Sequence, residues 1–379
     1  MKITTIRKRA MFFIAAFLLA ACVAGCKKSA PAWTLGQPLG KDDVKISIFF
    51  LDKAESGYSY AHDAGLGEAQ RQSGLRDDQV TRRYNVNDAD NSKVEHMMRE
   101  EIAAGANIII ATSWGYMNVC EKLAAEFPNV VFAHASGYKY NETNFTNYFG
   151  RLYQARYISG VAAGLNTKTG KLGFVAAQDS TNSEVTSGVN AFALGVESVN
   201  PSARIYVAVT HSWYDPYGEY EATQKLIAHG CDMIALHSDT PRPHDAANKA
   251  GVLSIGNNID MREYAPNSVL TSTVWNWGAY YTFLIRSVID GTFTTEPFYG
   301  GLAEGVVDVA PLTEALAAPG TEEAVNAARN RIRNEKFNVF DGKMETNYGR
   351  VVGMDGQTLS DSEITGGINW YYRTVTVLR

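Results

Sequence analysis

Cysteine is scarce in this chain: four in 379 residues, and two of them, Cys22 and Cys26, lie close to the N-terminus. That leaves Cys120 and Cys231 for the body, which excludes a disulfide framework and a thiolate metal cluster and predicts two buried free thiols. Positive charge is short as well. The formal net charge is −5, and no basic run follows the N-terminus, so a nucleic-acid surface is not expected. The sequence has no H-E-x-x-H or clustered His/Cys spacing and no Walker A loop. Gly164 and Gly300-Gly301 lack the spacing of a dinucleotide fingerprint. Ser113 and Ser238 sit in no G-x-S-x-G elbow. His211 and His237 lie near acidic residues but stand alone. Neither cofactor, metal nor catalysis is therefore expected.

What is present is length and repetition. With 379 residues, 45% of them hydrophobic, the chain can bury two cores. The stretch 102–114 (IAAGANIIIATSW) is echoed at 227–239 (IAHGCDMIALHSD). Each reads as a helix end, a glycine turn needing a left-handed residue, a short strand buried on both faces, and a polar strand end. A long-period echo is a fold-level signal. It predicts two similar α/β lobes whose strand ends face one another across a cleft. Cys120 and Cys231 then belong to different lobes.

The first 25 residues read as a leader: Lys2, Arg7, Lys8 and Arg9 precede an apolar stretch over 11–21, too short to span a bilayer. Val23-Ala24-Gly25-Cys26 resembles a bacterial lipobox, with Cys26 as the acylated residue; Leu19-Ala20-Ala21-Cys22 offers Cys22 as the alternative, and simple secretory cleavage nearby is a further one. Residues 26–42 form a Pro- and Gly-containing tether. Strands and helices then alternate: strands at 44–51, 79–86, 108–111 and 130–133, helices at 58–74, 91–104 and 118–127. A polar connector spans 138–147. The alternation restarts with helices at 153–165, 182–200, 218–228 and 244–250, and strands at 171–176, 204–209, 233–236 and 252–255. A helix at 277–290 is assigned back to the first lobe, and a strand at 305–309 and a helix at 321–333 follow. Such alternation predicts parallel, doubly wound sheets.

Ligands of open α/β sheets bind at strand carboxyl ends. Those ends carry Tyr58, Ser59 and Tyr60; Ser113, Trp114 and Gly115; Trp213 and Tyr214; and Ser238 and Asp239, with Asn258 and Trp275 on the hinge side. Aromatic faces with a few neutral or single acidic groups suit a flat, uncharged heteroaromatic ring. Asp215-Pro216 reads instead as a helix cap with proline at the first helical position.

Several segments occur in a recognisable order: the lipobox, Ser59-Tyr60, Thr112-Ser113-Trp114-Gly115-Tyr116, Ser212-Trp213-Tyr214-Asp215-Pro216, and Gly300-Gly301-Leu302-Ala303-Glu304-Gly305-Val306-Val307-Asp308. Together they resemble the basic membrane protein family of ABC-transporter substrate-binding lipoproteins. The resemblance implies a type I periplasmic-binding fold, two Rossmann-like lobes joined by a three-crossing hinge, with purine nucleosides as typical cargo. It implies lobe 1 at 43–147 plus 258–296 and lobe 2 at 148–257 plus 297–379. It also implies a monomer, exported and lipid-anchored to a bacterial membrane, that serves a permease and an ATPase.

Tyr60 would be the first-lobe stacking ring and Trp213 the second. Three departures matter: Gly57 replaces an Asp, Asn258 replaces the Asp that would hold ribose, and Trp275 replaces a Lys. These losses point to a nucleobase such as adenine rather than a nucleoside. A nucleoside, flavin or sugar cargo, a sensor, or a nucleoside-hydrolysing enzyme on the same scaffold are the alternatives.

Overall fold

Two parallel sheets organise the chain. The computed structural model describes residues 33–53 and 57–378; the leader, Cys22, Cys26 and the tether up to residue 32 lie outside the described residues. Residues 35–379 form one contact unit. In chain order the elements are β1 (Ile46–Phe49), α1 (Gly57–Ser73), β2 (Val80–Arg83), α2 (Asn91–Ala103), β3 (Ile108–Ala111), α3 (Met117–Glu126), β4 (Val131–Ala135) and β5 (Phe145–Gly150). Then come α4 (Leu152–Asn166), β6 (Lys171–Ala176), α5 (Ser183–Val199), β7 (Arg204–Val209), α6 (Pro216–Ala228), β8 (Met233–His237), α7 (Arg242–Ala250), β9 (Leu253–Gly256) and β10 (Val269–Trp275). The last part holds α8 (Trp277–Ile289), β11 (Phe298–Gly300), β12 (Val307–Val309), α9 (Thr321–Arg333), β13 (Met344–Glu345), β14 (Val351–Val352), α10 (Asp361–Gly367) and β15 (Val375–Val377).

The first sheet has the order β11-β5-β4-β3-β1-β2 and the second β12-β10-β9-β8-β6-β7-β15. Every neighbouring pair in these two sheets is parallel except β10 with β12. The echoed units are β3 and β8, inner strands in matching positions and buried along their whole length. Their preceding glycines, Gly105 and Gly230, have φ of 101° and 96°, the left-handed turn that glycine enters most easily. Separate cores form on the two sheets: Phe49, Ile109, Phe132 and Phe145 on the first, Val175, Leu226, Ile234 and Leu236 on the second. Cys120 and Cys231 are buried free thiols, one in each core.

Polar caps fix the helix starts. The Asp215 carboxylate accepts the Gly218 N–H with Pro216 at the first helical position, as expected. Helix α2 is capped by Asp90, whose carboxylate accepts the Lys93 N–H.

Six strands were not legible as such: β5, β10, β11, β13, β14 and β15. β5 lies partly in the expected connector, where the Asn144 amide donates to the carbonyls of Ala124, Phe127 and Val130 and pins the strand's start. β10 reads as a hydroxyl-rich segment, yet Thr271 and Thr273 donate to backbone carbonyls and Ser272 accepts the Met261 N–H, so the strand is buried with its polar atoms paired.

β10 also moves the lobe boundaries. Residues 258–276 run with the second sheet and 297–300 with the first, so the second and third crossings fall at 275–277 and 300–307 rather than near 258 and 297. The helix at 277–289 does pack on α1, as expected.

Candidate functional site

The strand order reverses beside β1 and β3 in the first sheet, and beside β6 and β8 in the second. Carboxyl ends at such switch points are where open sheets hold ligands. In the first lobe, α1 begins at Gly57, so Tyr58 lies in its first turn. The Tyr58 phenol donates to the Thr112 carbonyl at the end of β3 (2.8 Å), and its ring meets the edge of His62 at 4.6 Å. Helical spacing puts Tyr60 on the opposite side of α1 from Tyr58. Tyr60 is about half exposed (48%), and Ser59 is buried. The first-lobe ring beside the strand ends is therefore Tyr58, not the expected Tyr60; side chains two apart on a helix point to opposite sides, and α1 lies with Tyr58 turned to Thr112.

The Ser113 hydroxyl donates to Asp88 (2.6 Å), which also accepts the Gly115 N–H (3.2 Å). Trp114 is exposed and leans on Tyr138 at 5.8 Å. His134 meets the Ser113 carbonyl, not its hydroxyl (2.8 Å), and burial lowers its pKa to about 4. The Ser113 hydroxyl is therefore held by Asp88 and not by the imidazole. Beneath Tyr58, His62 stacks on Trp277 (4.6 Å, 8°) and bonds Tyr281 (2.6 Å). Burial lowers its pKa to about 3, so it is a neutral, structural ring.

In the second lobe, the Asp239 N–H donates to the Trp213 carbonyl (2.9 Å), and the half-buried Trp213 ring stands edge-on to His237 at 5.7 Å. His237 in turn lies 3.5 Å from Glu184, in the first turn of α5. Burial, then Arg156, lowers the His237 pKa, while Glu184 opposes the shift. Tyr214 is exposed. Ser238 is buried; its hydroxyl donates to Glu219 (2.8 Å), which also accepts from Thr240 (2.6 Å).

The lobes meet where the Gly57 N–H reaches the Asp239 carbonyl (3.4 Å). A Cβ on Gly57 would lie 3.2 Å from that of Asn258, so the absence of a side chain leaves room for this approach. Asn258 itself is buried, with φ of 66°. Its amide donates to Asp239 (2.8 Å), and its oxygen accepts the Trp275 indole N–H (3.1 Å). Trp275 is buried too and stacks on Trp277 at 4.5 Å. Burial, helped by Asp52, Glu219 and Glu184 and opposed by the Asn258 hydrogen bond, raises the Asp239 carboxyl to about 8. Burial and the charges of Tyr148, Glu184 and Asp239 raise the Tyr58 phenol well above its ordinary value.

The expected residues therefore divide. Tyr58, Trp213 and Asp239 gather where the lobes meet. Ser113, Gly115, Ser238 and Asn258 hydrogen-bond to protein partners and hold that arrangement. Glu184 was missed, although the loop after β6 is the second-lobe counterpart of the loop carrying Tyr58. Asp88 and Glu219, which orient the two serines, were missed because nothing local marks a carboxylate bonded across 19–27 residues. Arg156 was missed as well. It is fully buried, donating to the Leu236 carbonyl and to Asn257 (both 2.6 Å). A groove of about 550 Å³ lies along α1, Trp275–Gly278 and Asp308–Pro311; its lining includes Trp275 but not Tyr58, Trp213 or Asp239.

The family described as PnrA-like ABC transporter substrate-binding proteins (Bmp) matches residues 44–343. The chain belongs to that family. A purine-binding protein of Brucella abortus is 32% identical over 337 residues, covering 89% of this chain and 94% of its own. A Haloferax volcanii protein, named as a candidate glucose-binding protein of an ABC transporter, is 31% identical over 298 residues, covering 78% and 73%. An ABC transporter solute-binding protein of Conexibacter woesei has the same fold, with a TM-score of 0.65 at 19% identity over 78% of this chain and 98% of that one. As a Bmp family member the chain is a substrate-binding protein with the two-lobe periplasmic-binding fold; its small-molecule ligand passes to permease and ATPase partners.

Proposed function

We propose that this family member receives a purine-type nucleobase, adenine-like, held between Trp213 of one lobe and Tyr58 of the other, and passes it to its permease. Stacking supplies the affinity and the Asp239 carboxyl the orientation. One observation carries the choice of base over nucleoside: the chain Asp239–Asn258–Trp275. The resemblance puts a ribose-binding Asp and a Lys at positions 258 and 275. Here the two side chains bond each other and are buried. A sugar would forgo charge-assisted hydrogen bonds worth about 1.5–3 kcal/mol each and would meet an indole instead. The purine-binding relative supports the same class of guest.

Calorimetric titration of ligand-free protein tests this. Adenine is expected to bind roughly tenfold or more tighter than adenosine. Trp213→Ala is expected to cost about 1–3 kcal/mol of base stacking. Adenosine binding tighter than adenine sinks the reading. The Haloferax relative makes a sugar the second reading, and glucose in the same titration separates the two. We also propose acylation at Cys26, with Cys22 as the alternative, and a monomer; the mass of the mature N-terminal peptide decides the first. Binding proteins of ABC importers work outside the cytoplasmic membrane, and no described helix is long and apolar enough to cross one.

A further inference from the structure

We propose that Glu184 is a hydrogen-bond acceptor for the guest, and that His237, with the buried Arg156 behind it, is the positioning residue that aims it. The inference rests on the purine reading and goes one step beyond it, to a polar contact on the wall that carries Trp213.

Glu184 stands in the first turn of α5, just past the carboxyl end of β6, whose neighbours in the sheet are β7 and β8. Its side chain is about one-third exposed (34%). Its charge acts on Tyr58 of the other lobe and on Asp239, which places it at the meeting point of the lobes. Three other carboxylates of the site already receive hydrogens from the protein. Asp88 accepts from Ser113 and Gly115, Glu219 from Ser238 and Thr240, and Asp239 from Asn258. The Glu184 carboxylate instead faces the His237 ring, Oε1 to Nε2, at 3.5 Å. That contact is too long to use up the lone pairs of a carboxylate, yet close enough to aim it.

The ring is fixed from behind. His237 ends β8 and is buried. Its Nδ1 and the Nε of Arg156 are both buried without a hydrogen-bond partner. Both border the space that Gly188 leaves open, where a Cβ would lie 3.2 Å from Nδ1 and 3.7 Å from Nε. A guanidinium has only hydrogens to offer, so the imidazole nitrogen on its side is the bare one. The neutral ring then carries its hydrogen on Nε2, towards Glu184. Burial, then Arg156, lowers the His237 pKa and keeps the ring neutral. Arg156 is itself held by the Leu236 carbonyl and Asn257. Trp213 stands edge-on to the same imidazole at 5.7 Å, so the indole and the carboxylate flank one ring. A ring N–H or amino group at the edge of a base lying on Trp213 is the donor that Glu184 lacks.

Calorimetric titration of adenine into ligand-free protein and its variants is the test. Glu184→Gln keeps the shape, removes the charge, and is expected to weaken binding about tenfold. His237→Leu leaves Glu184 in place but unaimed, and is expected to cost a similar factor. His237→Gln, whose amide can donate where the Nε2–H did, is expected to restore affinity to within about threefold of wild type. In the double variant Glu184→Gln/His237→Leu the losses are expected not to add, because both act through one contact. A ring that merely filled space would give additive losses and no recovery by glutamine. If His237→Leu fails to fold, Gly188→Ala, which sets a methyl against Nδ1, takes its place; it is expected to weaken adenine about threefold in the wild-type background and not at all beside Glu184→Gln. Wild-type affinity in Glu184→Gln, or additive losses in the double variant, overturns the inference while leaving the purine reading intact. If the wild-type protein does not bind adenine, the purine reading itself fails, and the inference with it.

Discussion

Asp239 reverses the usual behaviour of an aspartate. Burial, with Asp52, Glu219 and Glu184 nearby, raises its carboxyl to about 8 against the single opposing Asn258 hydrogen bond. The unfolded chain releases this proton first, near pH 4, so ionisation at Asp239 makes the empty protein less stable as pH climbs from about 4 to about 8. A guest that donates N–H to the carboxylate works in the other direction. At neutral pH it must displace the proton, so affinity for adenine should rise by up to about tenfold per unit towards pH 8 and level off above it. Titrations in buffers of different ionisation enthalpy at pH 7 should show proton release on binding. A pH-independent affinity with no released proton would contradict the assignment of Asp239 as the guest's acceptor. Tyr58, beside it, keeps its proton on the Thr112 carbonyl over the same range.

At the scale of the element, the crossing that carries Asn258, Trp275 and Trp277 holds the site. Asn258 has a left-handed φ of 66°, so Asn258→Gly removes its two hydrogen bonds without straining the backbone. Burying the Trp275 indole N–H without an acceptor, and the Asp239 carboxyl without its donor, should cost about 1–3 kcal/mol each. Urea denaturation at pH 8.5 measures this; unchanged stability would mean that the chain of bonds from Asp239 to Trp275 contributes nothing.

This is also the scale at which the sequence was least legible. Strands β3 and β8 could be read because apolar runs between glycine turns have a local signature. β10 could not, since its hydroxyls are silenced by carbonyls 17 and 39 residues away, and with it went the correct lobe boundary. The shift from Tyr60 to Tyr58 has a similar origin. The aromatic pair at 58 and 60 was visible, but which ring faces the strand ends depends on how α1 is turned as it packs on α8, which no local pattern reveals. Trp213 and Asp239 were legible because one lies between a readable strand and a readable helix cap and the other just past a readable strand. Glu184 was hidden in a first helical turn, where a carboxylate is commonplace.

The whole molecule is two parallel sheets with matching strand order, linked by crossings at 150–152, 275–277 and 300–307. The backbones tie at these crossings, with the Arg151 N–H on the Gly300 carbonyl (2.6 Å) and the Asn276 N–H on the Val306 carbonyl (2.7 Å). Such a hinge lets a ligand with contacts on both lobes shift the population towards a closed form in proportion to those contacts. With Trp213 and Asp239 on one side and Tyr58 on the other, the proposed flat, donor-bearing base would touch both lobes at once. The most direct measurement is mass spectrometry of the small molecule released when protein purified from its own cells is denatured. The account predicts a free amino-substituted purine. A nucleoside or a hexose released in stoichiometric amount would contradict it.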